Sequence, residues 1–203
     1  KRFFEHPGVD LWGIFRAVGS NILAGRLRQG GSTITQQLIK NLYLTRERKL
    51  RRKINEALMA ISIERRYSKD DILETYLNEI YLGQDGNRAI HGFGLGAYFY
   101  FGKPLSELNA AEQALLIGLI KGPSAYNPRR NPEQALKRRN IVLSLLRDAE
   151  LLSETEYISA LDSGLSLAPS QRPTRLPYSA FMDLVHKRLI SNYNNEDLQT
   201  QGL

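Results

Sequence analysis

Apolar residues recur at intervals of three and four through most of this chain, the spacing of one helical face, and a capping residue or a breaker closes nearly every run. Leu11, Ile14, Phe15, Val18 and Ile22 follow Asp10 and end at Gly25, which predicts an amphipathic helix capped by Asp10. Ser32 predicts the cap of a second helix reaching Tyr43, with Ile34, Leu38 and Leu42 as its packing face. Leu50, Ile54, Ala57, Leu58 and Ile61 write a third. The run 68–71 has the pattern of a capping box and opens a fourth on Ile72, Leu73, Tyr76, Leu77 and Ile80, stopping at Gly83. From 83 to 102 there are six glycines, several aromatics and no clear period, which predicts a loop with a short helix rather than a strand. Asn109 predicts a cap for 110–121, Asn131 before Pro132 a cap for a helix reaching Arg147, and Ser153 with Glu156 the start of a short helix. Pro169, Pro173 and Pro177 mark a connection to a last helix over 178–193. The expectation is a mainly α fold without internal repeats.

Composition narrows what such a fold can do. With 203 residues, 42% of them hydrophobic, the chain can bury a core as one domain or as two lobes sharing one. The absence of Cys excludes a disulfide framework, thiolate metal sites and a Cys nucleophile, while leaving the compartment open. Lys and Arg number 28 against 21 Asp and Glu, a net charge of +7 that favours an anionic partner: nucleic acid, a phosphorylated substrate or a membrane surface. No apolar run reaches the roughly 20 residues of a membrane span. The abrupt start at Lys1 and end at Leu203 read as a piece cut from a longer protein. His6, His91 and His186 have no metal-ligand spacing, and no Gly-x-Ser-x-Gly elbow is present.

Three stretches carry candidate chemistry. Gly30 and Gly31 precede the second helix, where backbone N–H groups could face an anion. On that helix Thr33, Gln37 and Lys40 lie within about 60° of one another, so one face presents hydroxyl, amide and ammonium. The alternative is an ordinary solvated face; a nucleotide loop lacks its Gly-Lys-Ser/Thr ending. In the third helix six of the eight residues 46–53 are basic, either a functional stripe, a solvated face or a nucleic-acid patch. Within it Arg52 and Glu56, four apart and with Lys53 beside them, lie opposite Leu50, Ile54 and Ile61, with Met59 and Ile63 continuing the Glu56 side. A carboxylate with apolar neighbours on its own face points into a cleft or forms a structural ion pair. In the fourth helix Glu74, with Tyr76 and Asn78, reads as a buried carboxylate anchoring neighbouring helix ends.

At these residues the chain resembles the bacterial peptidoglycan glycosyltransferase domain, the transglycosylase half of class A penicillin-binding proteins and of their monofunctional relatives. Phe3-x-x-His6-x-Gly8 is similar to the end of that family's first motif and 30–41 to its second. Arg52-Lys53-x-x-Glu56 is similar to the third, and Lys69-x-x-Ile72-Leu73-Glu74-x-Tyr76-Leu77-Asn78 to the fourth. Ala114-Leu115-Leu116 through Lys121-Gly122-Pro123 and Tyr126-Asn127-Pro128 is similar to the fifth. The insertion 84–88 looks like the Gram-negative 1B-type branch.

The resemblance implies a lysozyme-like helical lobe with a smaller membrane-proximal lobe, working at the outer, periplasmic face of the bacterial cytoplasmic membrane. It implies polymerisation of lipid II: the GlcNAc 4-hydroxyl of an incoming lipid II attacks MurNAc C1 of the lipid-linked glycan, C1 inverts, and polyprenyl pyrophosphate leaves. Such a reaction needs a base at the acceptor hydroxyl and cations on the pyrophosphate. Carried over by position, Lys40, Arg52 and Lys53 would hold pyrophosphate, and Thr33, Gln37 and Asn41 would orient it or the sugars. Phe3 and His6 would shape the pocket, and Glu56 would be the second essential carboxylate. The family's general-base Glu would stand two residues before Lys1, outside this chain, and Glu5 does not replace it by alignment. No obligatory cofactor is implied; a divalent cation, Mg or Mn, is admitted. The implied partners are lipid II, the lipid-linked strand, a membrane surface and a C-terminal transpeptidase domain in the parent chain, with no nucleic acid. Two rivals remain: a muramidase or lytic transglycosylase on a related helical lobe, which would have no pyrophosphate to stabilise, and a non-catalytic module binding anionic lipid or nucleic acid.

Overall fold

A computed structural model of the chain describes residues 3–23, 30–43, 50–86 and 88–169. Among them are eight α-helices and one β-hairpin: α1 (Leu11–Leu23), α2 (Ile34–Tyr43), α3 (Leu50–Glu64), α4 (Lys69–Glu79), β1 (Tyr81–Asp85), β2 (Arg88–His91), α5 (Phe93–Phe101), α6 (Ala110–Leu119), α7 (Pro132–Asp148) and α8 (Glu154–Asp162). The mainly α expectation holds. All these elements lie within one compact unit, Lys1–Leu167. Pro173, Pro177 and the helix expected over 178–193 lie outside the described residues, as do 46–49 of the basic stripe.

Caps set most helix starts. Asp10 accepts from the Gly13 N–H at 2.9 Å. Ser68 with Asp71, Asn109 with Glu112 and Ser153 with Glu156 form reciprocal capping boxes, each satisfying donors that a bare helix end would leave open. Two starts differ from expectation. The cap of α2 is Thr33, not Ser32: Thr33 Oγ1 accepts from Gln36 N at 3.2 Å and Gln36 Oε1 accepts from Thr33 N at 3.1 Å. Asn131 makes no side-chain cap. Its amide donates instead to the carbonyls of Ala125 and Ser124, and Pro132 at the first helical position needs no donor satisfied.

The stretch 83–102 also differs, because strand is present. β1 and β2 pair antiparallel, Gly83 opposite Ile90 and Asp85 opposite Arg88, and α5 follows at once. Strands of five and four residues are too short to print an alternation. A helix apolar on every side shows no stripe, and α5 is of that kind. Gly92 joins the two at φ +79°, and a Cβ there would stand 2.5 Å from the carbonyl oxygen of Asn78. The core lies behind this corner, where Leu82, Tyr100, Leu116 and Leu119 are fully buried. The Tyr100 hydroxyl donates to the Leu82 carbonyl at 3.0 Å, and burial pushes its pKa up to about 12. Farther on, buried Arg139 donates to the carbonyls of Leu161, Ser163 and Gly164, fastening the end of α8 to α7.

The facing of α3 reverses the apolar pattern. Glu56 (2% exposed) and Ala60 (0%) point inward, whereas Ile54 (60%) and Leu58 (62%) are exposed. The reason is close approach of the chain's first segment. Gly8, at φ +92°, lies so near α3 that a Cβ would stand 2.8 Å from the backbone of Ala60. Only the small Ala60 side of the helix admits that contact.

Candidate functional site

The first segment, the start of α1 and the entry to α2 enclose a cavity of about 200 Å³, walled by Phe3, His6, Asp10, Arg16, Ser32 and Gln37 among others. Gly30 and Gly31 also line it. Gly31 packs closely there, since a Cβ would stand 3.2 Å from the Ile14 backbone. The His6 Nδ1 is buried and has no hydrogen-bond partner among the described residues. Burial, followed by the neighbouring Lys69 ammonium, holds the His6 pKa below its ordinary value.

Beside this cavity α3 presents its buried carboxylate to two cations. Lys53 Nζ lies 2.7 Å from Glu56 Oε2, and Arg52 Nε lies 3.2 Å from Glu56 Oε1. The Arg52 contact is an ion pair whose angle falls outside hydrogen-bond geometry. Spacings of three and four place both cations on the Glu56 side of the helix. Lys53 also donates to Ser32 Oγ at 2.7 Å, which links the carboxylate to the rim of the cavity. A buried carboxylate is costly unless paired; here each oxygen of Glu56 has its own cation, and Lys53 is the one that reaches the rim.

The residues expected on α2 separate. Thr33 is buried and lines the cavity, and its hydroxyl donates to the Gly8 carbonyl at 2.7 Å, so it also holds the backbone of the first segment. Gln37 lines the cavity and accepts from the Tyr76 hydroxyl at 3.3 Å. Lys40 and Asn41 are exposed at the end of α2. Leu42, expected to pack, is exposed as well.

On α4 the expectation for Glu74 is overturned: it is exposed, because the inward side of α4 is taken by Ile72 and Tyr76, with Ile80 buried at its C-cap. Asn78 is exposed too, and its contribution is the carbonyl against which Gly92 packs. Tyr76 is buried, which raises its phenol pKa. The buried carboxylate that joins helices is Glu64, which accepts from Thr35 Oγ1 and pairs with Lys69 at 2.7 Å. Nothing in the sequence spacing distinguishes Glu64, and the sequence analysis does not single it out.

Both oxygens of Glu56 face cations, and among the described residues no three of His, Asp and Glu converge. Among the described residues the donor set at Glu56 therefore does not fit a divalent cation.

The sequence model of the family described as "Transglycosylase" matches residues 1–147. Penicillin-binding protein 1B of Haemophilus influenzae is 55% identical over 157 residues, covering 77% of this chain and 20% of that protein. Penicillin-binding protein 1B of Escherichia coli is 49% identical over 203 residues, covering 100% of this chain and 24% of that protein. Penicillin-binding protein 1A of Neisseria lactamica is 44% identical over 203 residues, covering 100% of this chain and 25% of that protein. The chain thus spans about a quarter or less of the length of these curated relatives. The higher identity to the two 1B proteins agrees with the 1B-like insertion at 84–88, of which Gln84, Asp85 and Arg88 lie in the paired strands of the β1–β2 hairpin.

Proposed function

The chain belongs to the transglycosylase family, and on that footing we propose that it polymerises lipid II into peptidoglycan glycan strands. The observation that carries this reading is the buried Glu56 carboxylate with Arg52 and Lys53 on it, beside a cavity walled by Phe3, His6 and Gln37. In the reaction the acceptor's GlcNAc 4-oxygen forms a bond to MurNAc C1 of the lipid-linked strand as the C1–O bond to pyrophosphate breaks. The hydroxyl proton passes to the base that the resemblance puts two residues before Lys1. Negative charge collects on the departing pyrophosphate, where preorganised cations lower the barrier most. Arg52 and Lys53 are those cations, and Glu56 fixes where they stand. Lys40, exposed one turn beyond Gln37, extends the cationic surface, and Asn41 beside it can donate to the same oxygens. No cofactor enters this scheme.

The substrate is lipid-anchored, so the domain works against a membrane. Supporting this, α1 turns Gly13 and Ala17 inward and leaves Leu11, Trp12 (70% exposed) and Phe15 (70%) outward. An outward apolar face with a net charge of +7 suits an anionic bilayer surface. No helix among the described residues is long and apolar enough to cross a membrane. We infer that the parent protein works at the outer face of the cytoplasmic membrane and carries a transpeptidase domain in the same chain; relatives four to five times longer and named for penicillin binding support the further domain.

The test is lipid II polymerisation by the chain with its natural flanking sequence, wild type beside Glu56→Gln. Polymer from the wild type, reduced roughly 100-fold or more in the variant, is the expected result. Glycan cleavage without synthesis would replace this reading with a muramidase. Salt-sensitive lipid binding without chemistry, indifferent to Glu56→Gln, would replace it with a binding module.

A further inference from the structure

One ammonium outside the cavity sets the position of two residues that wall it. Lys69, at the first position of α4, donates to the backbone carbonyl of His6 at 2.6 Å and stands 4.5 Å from the centre of the Phe3 ring. Its third contact is Glu64 at 2.7 Å, on the last residue of α3; the Lys69 side chain is 22% exposed and the Glu64 side chain 4%. Glu64 in turn accepts from Thr35 in the first turn of α2, the helix that brings Gln37 to the cavity. Four elements of the fold therefore meet at one ion pair directly behind Phe3 and His6. The other end of the same segment is held by Thr33 on the Gly8 carbonyl. Lys69 itself does not line the cavity.

We propose that Lys69, oriented by Glu64, is a positioning residue for glycosyl transfer, holding Phe3 and His6 where the substrate meets them. The proposal rests on the glycosyltransferase reading above. A hydrogen bond to the His6 carbonyl fixes the backbone, and the cation over Phe3 fixes the ring. Substrate-positioning groups act on turnover, since a displacement near 1 Å can cost roughly 100-fold in rate. A staple of the fold alone would lower stability and leave the turnover of folded molecules intact.

The experiment compares wild type, Lys69→Arg, and the double variant Lys69→Met/Glu64→Gln in the chain with its natural flanking sequence. The double change leaves no buried carboxylate without its cation, and the glutamine amide oxygen introduced by Glu64→Gln keeps an acceptor for Thr35. Thermal unfolding, kcat and KM with lipid II are measured on each. The expected result is a cooperatively folded double variant whose kcat falls about 10- to 100-fold, by a larger factor than KM changes, with Lys69→Arg recovering most of the loss. An unchanged kcat in the folded double variant overturns the proposal, as does a loss that Lys69→Arg shares in full. A wild type that makes no polymer overturns the glycosyltransferase reading itself, and the proposal with it.

Discussion

Thr33 and Gly8, 25 residues apart, are joined by a 2.7 Å hydrogen bond from the threonine hydroxyl to the glycine carbonyl. The same hydroxyl accepts from Gln36 N, so one side chain caps α2 and satisfies a carbonyl of the segment that walls the cavity. Thr33→Val keeps the shape and loses both bonds. The expected cost is about 2 kcal/mol of stability, from a lost cap and an unsatisfied buried carbonyl, with Thr33→Ser restoring most of it. Urea titration reads this directly. An unchanged midpoint for Thr33→Val would mean that the hydroxyl is free to serve a ligand.

His6 titrates below its ordinary value, burial being the larger cause and the Lys69 cation the next, opposed by Glu64 and Asp10. A folded pKa below the unfolded one means that the unfolded chain binds more protons between the two values. Stability from this group is therefore full above about 6.5 and is lost as pH falls toward the folded pKa. Ring titration by NMR should give a His6 value under 6.5, rising in Lys69→Met. A His6 value at or above 6.5 in the wild type would show that the imidazole is neither buried nor beside the cation.

Gly92 occupies φ +79° with the Asn78 carbonyl where a Cβ would go. Gly92→Ala meets both a backbone conformation that side chains avoid and a contact with main chain that cannot rotate away. A loss of about 2 kcal/mol or more is expected, measurable as a lower unfolding midpoint. Gly86, also at positive φ but with open space around it, should cost about 1 kcal/mol as Ala. Equal costs at the two sites would remove the Asn78 contact from the account.

Trp12 and Phe15 are too exposed to support the core, so Trp12→Ser/Phe15→Ser should shift stability by less than about 1 kcal/mol. Co-sedimentation with anionic phospholipid vesicles should nevertheless weaken several-fold, because the apolar face that enters the interface is gone. Unchanged sedimentation would move the membrane contact away from α1.

Helix existence was readable along almost the whole described chain because caps and periodicity act over four residues. Asp10, Ser68, Asn109 and Ser153 each start a helix where their local chemistry says they should. The Arg52–Glu56 and Lys53–Glu56 pairs were readable for the same reason, since spacings of three and four fix neighbours on one helix. The hairpin was not: its two strands pair only with each other across a turn, and neither is long enough to alternate visibly. Glu74 was misplaced because apolar neighbours in sequence surround a helix position without burying it. Glu64, which is buried, has partners in α2 and α4 that no local pattern connects.

By itself the amino-acid sequence determined the mainly helical class, most helix starts and the carboxylate with two cations, all of which depend on interactions within a turn or two. Only the tertiary structure decided which side of α3 meets the interior, that Thr33 turns to Gly8, and that Lys69 stands behind Phe3 and His6. Periodicity states which residues share a face. Which face is buried is settled by partners 25 and 63 residues away, and here a close approach of Gly8 to Ala60 outweighed the burial of Ile54 and Leu58.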